Sequence, residues 1–555
     1  MATYTYHPFP YRRVPELATG SGPRRPVVIA GAGPVGLAAA IDLASQGIAS
    51  VVLDDNDVVS IGSRAICWAK RTLEIFDRLG VGERMVAKGV VWKIGRVYHR
   101  DRELYRFDLL PEGGHKMPAF INLQQYYVEQ YLVERALEFP GLIDLRWKNR
   151  LATVSQTGDA VAIGVETPDG SYRLDAEWLI AADGARSTVR SVLGLPFEGR
   201  TFEEKFLIVD VRLAADYPSD RRFWFQPTFD RGESALMHRQ PDDVFRIDFQ
   251  LGWEADSDAE REPGRVLERV RRIVGPDVEC ELEWCSVYTF RCNRMPRFVD
   301  GRVLFVGDAA HIVSPFGARG GNGGIQDTDN LCWKLARVIR GEAPRALIDT
   351  YNTERVHGAD ENLLNSSRTT TFMTPKSAVE HQFRDGVLAL APTHGFARQL
   401  VNSGRLSKPC DLHGFAGFTA DSGQVAGPMI PGSPCLDAPV RMPGGREGWL
   451  LGALTARPTA LVFCDDPAAV AAVATTAPAS GVADLAVIVV TPRDLRALSL
   501  PQLVDVEGHL ATRYGGVPGV TYLIRPDQHV LGRWPMWDPE TVGSAWRRCL
   551  SGGAS

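Results

Sequence analysis

Near the start of the chain, the pattern of hydrophobic and small residues predicts a strand, a turn, a helix and a second strand. Residues 26–30 form a short β-branched run that ends in glycines, and residues 37–45 form an alanine-rich helical pattern stopped by Gly47. Residues 49–53 form a second apolar run, closed by two aspartates. Two strands joined through one helix must lie parallel in one sheet. The pattern therefore predicts a βαβ unit.

Further along the chain, the pattern alternates between helical and strand-like stretches. It predicts helices at 65–79, 126–139 and about 324–339. It also predicts hairpin strands within 145–182 with a turn at 167–170, and a strand at 302–306. Between about 200 and 295 the alternation has a period of two, which is typical of a sheet, and this sheet is inserted between two halves of the domain that begins with the βαβ unit. Past residue 445, apolar strands alternate with alanine-rich helices, which indicates a separate small α/β domain.

Composition places the chain among globular proteins and argues against two kinds of partner. Of its 555 residues, 45% are hydrophobic and 23% are charged, which suffices for a sizeable core. The formal net charge of −5 leaves no basic footprint for nucleic acid, and no apolar run reaches membrane-spanning length. The nine cysteines form no disulfide or metal-binding framework, so we expect free thiols, a cytoplasmic protein and no metal site.

The loop between the first predicted strand and helix fits the dinucleotide-binding pattern G-x-G-x-x-G. In this pattern the glycines allow a tight turn, close approach to a pyrophosphate and packing of the helix on the strand. The helix N-terminus adds free N–H groups for phosphate. Asp54 and Asp55 end the second strand, where a carboxylate accepts hydrogen bonds from ribose hydroxyls. In the loop itself, the expected contacts are Gly31, Gly33, Pro34, Val35 and Gly36.

Two later motifs resemble those of the group A flavoprotein aromatic hydroxylases. Residues 179–190, with Asp183, are similar to the family's Asp-Gly motif, and residues 302–311, with Asp308, are similar to its second FAD fingerprint. Residues 315–327 resemble the loop and helix beside the flavin ring. The resemblance runs from about residue 27 to residue 355 and keeps the family's order of motifs. It implies that the bound dinucleotide is FAD.

The resemblance also assigns cofactor contacts to individual residues. Arg64 is similar to an arginine near the FAD pyrophosphate, Gln125 to a glutamine that contacts the cofactor, and Asp308 to the aspartate that binds the ribityl chain. The remaining implied contacts are Asp183, Gly307, Pro315, Gly320, Gly321 and Asn322.

The family's chemistry implies a single-component monooxygenase. NADH or NADPH acts as a transient co-substrate that reduces FAD, oxygen forms a flavin C4a-hydroperoxide, and its distal oxygen passes to a phenolic substrate. Residues 320–324 lead into a helix and supply N–H groups to the anionic reduced flavin. Pro315 forms part of a dry wall against loss of hydrogen peroxide. No second G-x-G-x-x-G region exists, and Arg186 and Arg190 are candidates to hold the NAD(P)H pyrophosphate.

Attack on a phenol also needs a base or proton relay with a pKa near neutrality. Candidates in the inserted sheet are His238, Asp248 and Tyr288, while Arg246 could hold a phenolate or carboxylate. Strand alternation places Arg246, Asp248 and Gln250 on one face. That face is also compatible with solvent exposure or with pairing among these groups, so the sequence leaves the base open.

The C-terminal segment, with residues 513–515 and 522–530, resembles the thioredoxin-like domain of the phenol hydroxylase and hydroxyphenylpropionate hydroxylase branch. Cys464 has no second cysteine to complete Cys-x-x-Cys, so we expect a structural domain, in a protein that forms a homodimer. The expected fold class is α/β, with a Rossmann-type FAD-binding domain, an inserted β-sheet substrate domain and this thioredoxin-like domain. The expected boundaries are a loose N-terminal arm at 1–25, the FAD-binding domain at 26–199 and 296–400, the substrate domain at 200–295, a connector at 401–445 and the thioredoxin-like domain at 446–555.

Two alternatives to a phenol hydroxylase remain open at this point. An epoxidase or a polyketide-tailoring hydroxylase of the same family would use the same flavin chemistry on another electron-rich substrate. A flavin-binding redox sensor without catalysis would keep the cofactor motifs, but its NAD(P)H consumption would not respond to a substrate.

Overall fold

The computed structural model of this chain describes residues 4–230, 234–314, 317–401, 409–495 and 498–553; of residue 203, only the backbone is described. The chain divides into two compact units. The first comprises residues 1–111, 118–328 and 359–408, and the second comprises 112–117, 329–358 and 409–555.

Helices and strands are numbered here along the described part of the chain. The helices are α1 (Glu16–Thr19), α2 (Pro34–Ser45), α3 (Lys70–Arg78), α4 (Gly82–Lys88), α5 (Gln125–Ala136), α6 (Thr188–Val192), α7 (Ser257–Glu260), α8 (Pro263–Val274), α9 (Gly320–Ile339), α10 (Ala346–Met373), α11 (Ala378–Leu390), α12 (Gly395–Leu400), α13 (Leu450–Ala453), α14 (Pro467–Thr476), α15 (His509–Tyr514) and α16 (Pro539–Leu550). The strands are β1 (Arg25–Ala30), β2 (Ser50–Leu53), β3 (Cys67–Ala69), β4 (Val90–Trp92), β5 (Ile94–His99), β6 (Arg102–Asp108), β7 (Phe120–Asn122), β8 (Ile143–Arg146), β9 (Arg150–Thr157), β10 (Ala160–Thr167), β11 (Gly170–Ala181), β12 (Glu198–Leu213), β13 (Arg221–Phe225), β14 (Ser234–Arg239), β15 (Val244–Gln250), β16 (Cys280–Arg294), β17 (Val299–Asp300), β18 (Val303–Phe305), β19 (His311–Ile312), β20 (Pro439–Arg441), β21 (Glu447–Trp449), β22 (Thr459–Phe463), β23 (Ala486–Thr491), β24 (Gln502–Val504), β25 (Thr521–Ile524) and β26 (Val530–Trp534).

The first sheet of the first unit contains the predicted βαβ unit. Its strand order is β17-β18-β11-β1-β2-β8, and β1 pairs parallel with both β2 and β11, which in turn pairs parallel with β18. All four residues of β2 are buried, as is typical of parallel strands covered on both faces. The predicted hairpin is present too, because β10 and β11 pair antiparallel with Thr167 opposite Gly170.

The second sheet of this unit has the order β19-β16-β12-β15-β14-β13-β5-β6. The predicted strands between 200 and 295 form most of it. The strands β5 and β6 also join, because β5 pairs parallel with β13, so the sheet draws on residues well before the expected boundary at 200. The sequence pattern shows where strands lie but does not show which distant strands pair with each other. On one face, α8 packs its valines against a core that includes Val209 and Ile247.

A small third sheet changes the prediction for residues 65–79. Cys67–Ala69 forms β3 and pairs antiparallel with β7, so the helix begins only at Lys70. The periodicity of this segment is helical, but the tertiary pairing with β7 prevails over it at the first turn.

The N-terminal arm is attached to its own chain and is not loose. The ring of Phe9 stacks on Trp147 with ring centroids 4.4 Å apart. The hydroxyl of Tyr6 accepts a hydrogen bond from the backbone N–H of Gly62 at 3.1 Å. The arm therefore supports the loop at 60–64, which reappears below at the functional site.

The second unit is built on a seven-stranded sheet with the order β21-β20-β24-β23-β22-β25-β26. Its central strands β22 and β23 are parallel, while β25 and β26 run antiparallel to their neighbours. A core that includes Leu461, Leu510 and Tyr522 fills one face.

A buried network of charges also stabilises the second unit. The guanidinium of Arg525 donates to both carboxylate oxygens of Glu354, at 3.0 and 2.9 Å, and it also pairs with Asp527. The Lys334 ammonium donates to Glu354 at 2.9 Å. Burial opposes ionisation of Glu354, but Arg525 and Lys334 outweigh this effect and lower its pKa to about 2. Glu354 thus stays charged and neutralises two buried cations.

Replacement of Glu354 by glutamine should destabilise the second unit by about 3–5 kcal/mol, because the change leaves buried Lys334 without its carboxylate partner and Arg525 with Asp527 alone. The wild-type stabilisation should be fully present above about pH 4.5 and should be lost as pH falls towards the lowered pKa of about 2. Thermal and urea unfolding, followed by circular dichroism, measures the change. Glu342→Gln is the matched control, since Glu342 pairs with Arg337 at the surface and should cost at most about 1 kcal/mol. Equal effects of the two changes would contradict the assignment.

Candidate active site

The three predicted cofactor motifs follow neighbouring parallel strands. The glycine loop follows β1, the segment with Asp183 follows β11, and the segment with Asp308 follows β18. In an open α/β sheet, ligands bind at the carboxyl ends of the strands, where the strand order reverses. The order β18-β11-β1-β2 reverses next to β1, so the fold brings the three segments together at this edge.

The glycine loop approaches its surroundings too closely for side chains. Gly31 has a φ of 101°, and a Cβ there would lie 2.5 Å from the carbonyl oxygen of Ala182. A Cβ on Gly36 would lie 2.0 Å from the carbonyl oxygen of Gly31. Gly33 differs, because a Cβ there would meet no atom within 4 Å, and Gly33 lines the cavity described below. The loop therefore leaves open space beside backbone and the start of α2, which fits the approach of a pyrophosphate.

Asp54 supports the glycine loop from the end of β2. Its carboxylate accepts hydrogen bonds from the backbone N–H groups of Ala32, at 2.6 Å, and Asn56, at 2.9 Å. Burial raises the pKa of Asp54, and these two N–H groups limit the rise. Asp55 is exposed. Neither aspartate lines the cavity, so the ribose contacts expected of them stay a prediction.

Asp308 and Arg64 present opposite charges to the same cavity. The side chains of Asp308 and Arg64 are both exposed, and both line the cavity described below. Burial within the surrounding protein raises the pKa of Asp308, while His311 and Arg64 limit the rise. An acceptor and a cation at the carboxyl ends of the strands suit the hydroxyl and phosphate groups of a dinucleotide.

Asp183 lies outside the cavity lining and caps a helix. One carboxylate oxygen accepts a hydrogen bond from the N–H of Val189 at 3.0 Å, in the first turn of α6, while the other is buried without a hydrogen-bond partner among the described residues. Arg190 is buried and donates to the carbonyls of Ala185 and Ala309. Its guanidinium is thus engaged within the fold, and only Arg186 of the two suggested arginines is exposed.

Gln125 holds the loop at 60–64 in place. At the start of α5, its amide donates to Glu129 at 2.8 Å and accepts from the N–H of Ala65 at 3.2 Å. Glu129 in turn accepts from the N–H and the hydroxyl of Ser60, at 2.6 and 2.7 Å. Gln125, Glu129 and Ser60 all line the cavity, together with Arg64. Glu129 and Ser60 were not identified from the sequence, since a helix carboxylate and a loop serine carry no motif.

The start of α9 forms another wall. Gly320, Gly321 and Asn322 line the cavity, as do Pro34 and Val35. The amide of Asn322 accepts from the N–H of Ala69 and donates to the carbonyl of Cys67, both at 2.9 Å, so it joins α9 to β3. Pro315 lies outside the described residues, and its expected role next to the flavin ring stays a prediction.

Gly307 and His311 share one buried acid. Asp327 accepts from the backbone N–H of Gly307 at 2.9 Å and pairs with Nε2 of His311 at 2.7 Å. His311 is buried and stacks on Phe298. The pair therefore fixes the turn that presents Asp308.

The cavity itself has a volume of about 350 Å³ and joins two chemically different halves. One half is formed by the cofactor segments just described. The other half is lined by β12, β13, β14, β15 and β16 of the second sheet. Its apolar lining includes Trp92, Phe120, Ile208, Leu236 and Trp284.

Asp248 presents a titratable carboxyl to the second half. Burial raises its pKa to about 7, while Arg246 and Arg221 limit the rise. Its Oδ1 atom is buried and has no hydrogen-bond partner among the described residues. Of the candidates named from the sequence, Asp248 thus combines access to the cavity with a pKa near neutrality, as a general base requires.

The other candidates line the same cavity with different properties. Nδ1 of His238 lies 3.9 Å from Sγ of Cys67, and burial lowers the pKa of His238 well below its usual value. Arg246 is committed to Asp210 through two hydrogen bonds of 2.9 and 2.7 Å. Tyr288 is 38% exposed, which places it at the margin of the cavity. The pairing of Arg246 makes it a poorer anion holder than the sequence suggested.

Arg221 is a cavity residue that the sequence reasoning missed. It is the first residue of β13, within the segment in which the sequence pattern predicts a sheet. Alternation along β13 places Arg221 on the face that carries Phe223 and Phe225. The available signal was a charged residue on the apolar face of a short strand.

Comparisons with known proteins agree with this geometry. Residues 24–366 match the family model described as FAD binding domain. A flavin-dependent monooxygenase of Mycobacteroides abscessus is 35% identical over 358 residues, which cover 60% of this chain and 71% of that protein. The 6-methylpretetramide 4-monooxygenase of Streptomyces rimosus is 32% identical over 544 residues, which cover 91% of this chain and 90% of that protein.

Solved structures extend the likeness over the whole fold. The flavin-dependent monooxygenase PieE, in complex with FAD and substrate, has a TM-score of 0.79 at 22% identity and covers 96% of this chain and 99% of that chain. The anhydrotetracycline hydroxylase OxyS of Streptomyces rimosus has a TM-score of 0.69 at 26% identity and covers 92% of this chain and 96% of that chain. Within the described residues, no helix combines the length and the apolar character needed to cross a membrane.

Proposed function

The chain belongs to the FAD-binding domain family, and on that premise we propose that it hydroxylates a phenolic substrate with NAD(P)H and O2. The relatives are monooxygenases and hydroxylases, and the protein is an FAD-dependent aromatic monooxygenase. The observation that carries the proposal for a phenol is the position of Asp248, whose carboxyl has a pKa of about 7 in the cavity that also receives the cofactor segments.

The two halves of the cavity have different roles: the residues of one would hold the cofactor and those of the other would hold the substrate. When bound, FAD supplies a hydride acceptor and the means to activate dioxygen. Gly33 and the start of α2 would face its pyrophosphate, with Arg64 as a nearby cation. Asp308 would accept hydrogen bonds from its hydroxyl groups. The open space at Gly33 and the cavity-facing carboxyl of Asp308 fit such a group.

In the second half of the cavity, which we call the substrate half, the residues orient the ring and take up a proton. The indole of Trp92 stacks on Phe120 with ring centroids 4.6 Å apart, and both line the cavity as a flat apolar wall. This wall excludes water from the reacting ring. The carboxylate of Asp248 accepts the phenolic proton at its oxygen, which makes the ring a stronger nucleophile. Arg246 lines the same half of the cavity, but its charge is already paired with Asp210.

A polyketide-tailoring hydroxylase is the second candidate. The relative from Streptomyces rimosus acts, by its name, on 6-methylpretetramide and matches nearly the full length of this chain. A multi-ring phenol would use the same base and the same flat wall, so the two candidates differ in substrate size and not in chemistry.

We also propose that the second unit is thioredoxin-like and has no redox role, because burial raises the pKa of Cys464 to about 11 and keeps it a thiol.

Simple phenols and multi-ring phenols, each offered with NADH and with NADPH, test the proposed function. We expect substrate-stimulated NAD(P)H oxidation and a product heavier by one oxygen atom, detected by mass spectrometry. Oxidation that no substrate stimulates would instead favour a flavin-binding sensor. Hydrogen peroxide formed without a hydroxylated product would count against the phenols tested.

Replacement of Asp308 by alanine should weaken FAD binding by about ten- to hundredfold, since a charged hydrogen-bond acceptor contributes about 1.5–3 kcal/mol. FAD fluorescence during titration of the apoprotein measures the dissociation constant. Asp308→Asn keeps an acceptor oxygen and should recover part of the affinity. Full FAD binding and full activity in Asp308→Ala would overturn the cofactor assignment of this segment.

A further inference from the structure

The charges in the substrate half of the cavity do not balance. Arg246 has its counter-charge in Asp210, at 2.7 Å. Arg221 lines the same half, and no hydrogen-bond or ion-pair partner for it exists among the described residues. The ring centroid of Phe223 lies 5.8 Å from its guanidinium carbon.

A cation in this position is costly unless something pairs with it. Burial lowers the pKa of Arg221, while Cys67 and Asp248 partly offset this effect. A guanidinium nevertheless keeps its proton in proteins, so the charge persists. The side chain of Arg221 is half-buried, and a charge partly withdrawn from bulk water is normally compensated by an ion or by hydrogen bonds. A bound anion would supply that compensation.

Asp248 does not serve as the permanent partner. No hydrogen bond joins Asp248 to Arg221, and Oδ1 of Asp248 is itself buried without a partner among the described residues. Its pKa of about 7 leaves it uncharged for much of the time near neutral pH. The thiol of Cys67 is no alternative, because burial raises its pKa to about 12.

We infer that the substrate of this site carries an anionic oxygen group, a carboxylate or the ionised oxygen of an acidic phenol or enol, that pairs with Arg221. The inference rests on the proposed function and names the class of phenol that this cavity takes. The flat wall of Trp92 and Phe120 receives the ring, Asp248 faces the hydroxyl that is deprotonated, and Arg221 receives the anionic edge. Arg221 would thus determine specificity by rejecting the neutral analogue, which leaves the half-buried cation unpaired.

Two pairs of probes test the inference with the FAD-loaded enzyme and without NAD(P)H. The first pair is 3-hydroxybenzoate and 3-hydroxybenzamide, which have a similar shape but differ in charge. The second pair is 4-nitrophenol, at a pH where it is ionised, and 4-methylphenol. Perturbation of the flavin absorption spectrum during titration measures each dissociation constant. In the wild-type enzyme at least one anion should bind about ten- to hundredfold more tightly than its neutral partner.

Substitutions then assign this preference to Arg221. Arg221→Gln should reduce the preference to about onefold. Arg221→Lys keeps the charge but loses the planar pair of donors, so it should weaken a carboxylate more than a single phenolate oxygen. That difference shows whether Arg221 pairs with a carboxylate or with a phenolate oxygen. It remains measurable if Arg221→Gln does not fold. Arg222→Gln is the matched control, because Arg222 is the next residue of β13, points to the opposite face and does not line the cavity.

The inference fails if neither anion binds more tightly than its neutral partner, including the case in which no probe perturbs the flavin. It also fails if Arg221→Gln keeps the wild-type preference. Product formation is measured separately in the presence of NAD(P)H. If the preference for the anionic probe depends on Arg221 but no hydroxylated product forms, the proposed function is contradicted and the anion site is supported. If neutral and anionic phenols bind with equal affinity and are both hydroxylated, the anion site is contradicted and the proposed function is supported.

Discussion

Replacement of Asp248 by asparagine should lower the rate of hydroxylation by about 10²–10⁴-fold, the usual contribution of a general base. The amide has the shape of the carboxyl group but cannot accept the phenolic proton. The FAD content and the fold should not change, since the carboxyl has no hydrogen-bond partner at Oδ1 among the described residues. Single-turnover formation of product, followed by mass spectrometry, measures the loss.

The pH profile gives this prediction a second readout. A carboxyl group acts as a base only when it is ionised, and burial raises the pKa of Asp248 to about 7. The wild-type rate should therefore rise as pH passes upward through about 7 and fall below it. Asp248→Asn should lose this limb of the profile.

Asp243→Asn is the matched control for Asp248. Asp243 lies in the turn before the same strand, β15, and is exposed outside the cavity. Its positive φ of 54° is tolerated by asparagine, so the substitution should not strain the turn. An Asp248→Asn enzyme that kept both its rate and the limb near pH 7 would remove Asp248 from the mechanism.

Replacement of Gly36 by alanine should abolish FAD-loaded, correctly folded protein. The added Cβ would lie 2.0 Å from the carbonyl oxygen of Gly31 and 3.3 Å from the Cβ of Ala182. The first of these atoms belongs to the backbone of the glycine loop, so it cannot move without displacing that loop. Overpacking of this kind costs about 1–3 kcal/mol or more, and here it also disturbs the cofactor cradle. Soluble yield, thermal unfolding and the ratio of bound FAD to protein measure the effect.

Gly33→Ala separates the two consequences. A Cβ at Gly33 meets no atom within 4 Å, so the fold should remain intact. The methyl group would occupy the space into which a pyrophosphate fits, so FAD should bind more weakly to a folded protein. A Gly36→Ala protein with normal stability and full FAD would contradict the packing argument. Equal stability losses in the two variants would contradict it as well.

The segments that meet in the first half of the cavity could be located from the sequence because they are local to short motifs, although Asp54, Asp55 and Asp183 lie outside the cavity lining. Each motif is a strand followed by a turn, and the turn's glycines or aspartate lie within a few residues of it. Periodicity also located the strands between 200 and 295 and the face shared by Arg246 and Asp248. The sequence pattern did not identify Arg221, because β13 is only five residues long and its partner strand β5 lies more than a hundred residues away along the chain.

The charge state of the site needed the tertiary structure. The sequence named His238, Asp248 and Tyr288 as candidate bases and Arg246 as a residue that could hold an anion, since a residue type does not reveal its burial or its partner. Asp210 lies on the neighbouring strand β12 and takes Arg246, which leaves Arg221 as the free cation of the substrate half among the described residues. Burial then separates two of the three candidate bases by raising the pKa of Asp248 and lowering that of His238.

By itself, the sequence determined the βαβ unit, the glycine loop and the aspartates that follow β11 and β18, because these depend on short-range pattern and on the conformational needs of single residues. Only the tertiary structure decided that β5 and β6 join the second sheet and that the N-terminal arm supports the loop at 60–64. It also decided which ionisable groups face the cavity without a partner. The physical reason is that pairing, burial and electrostatic compensation are properties of groups that are distant along the chain and close in space.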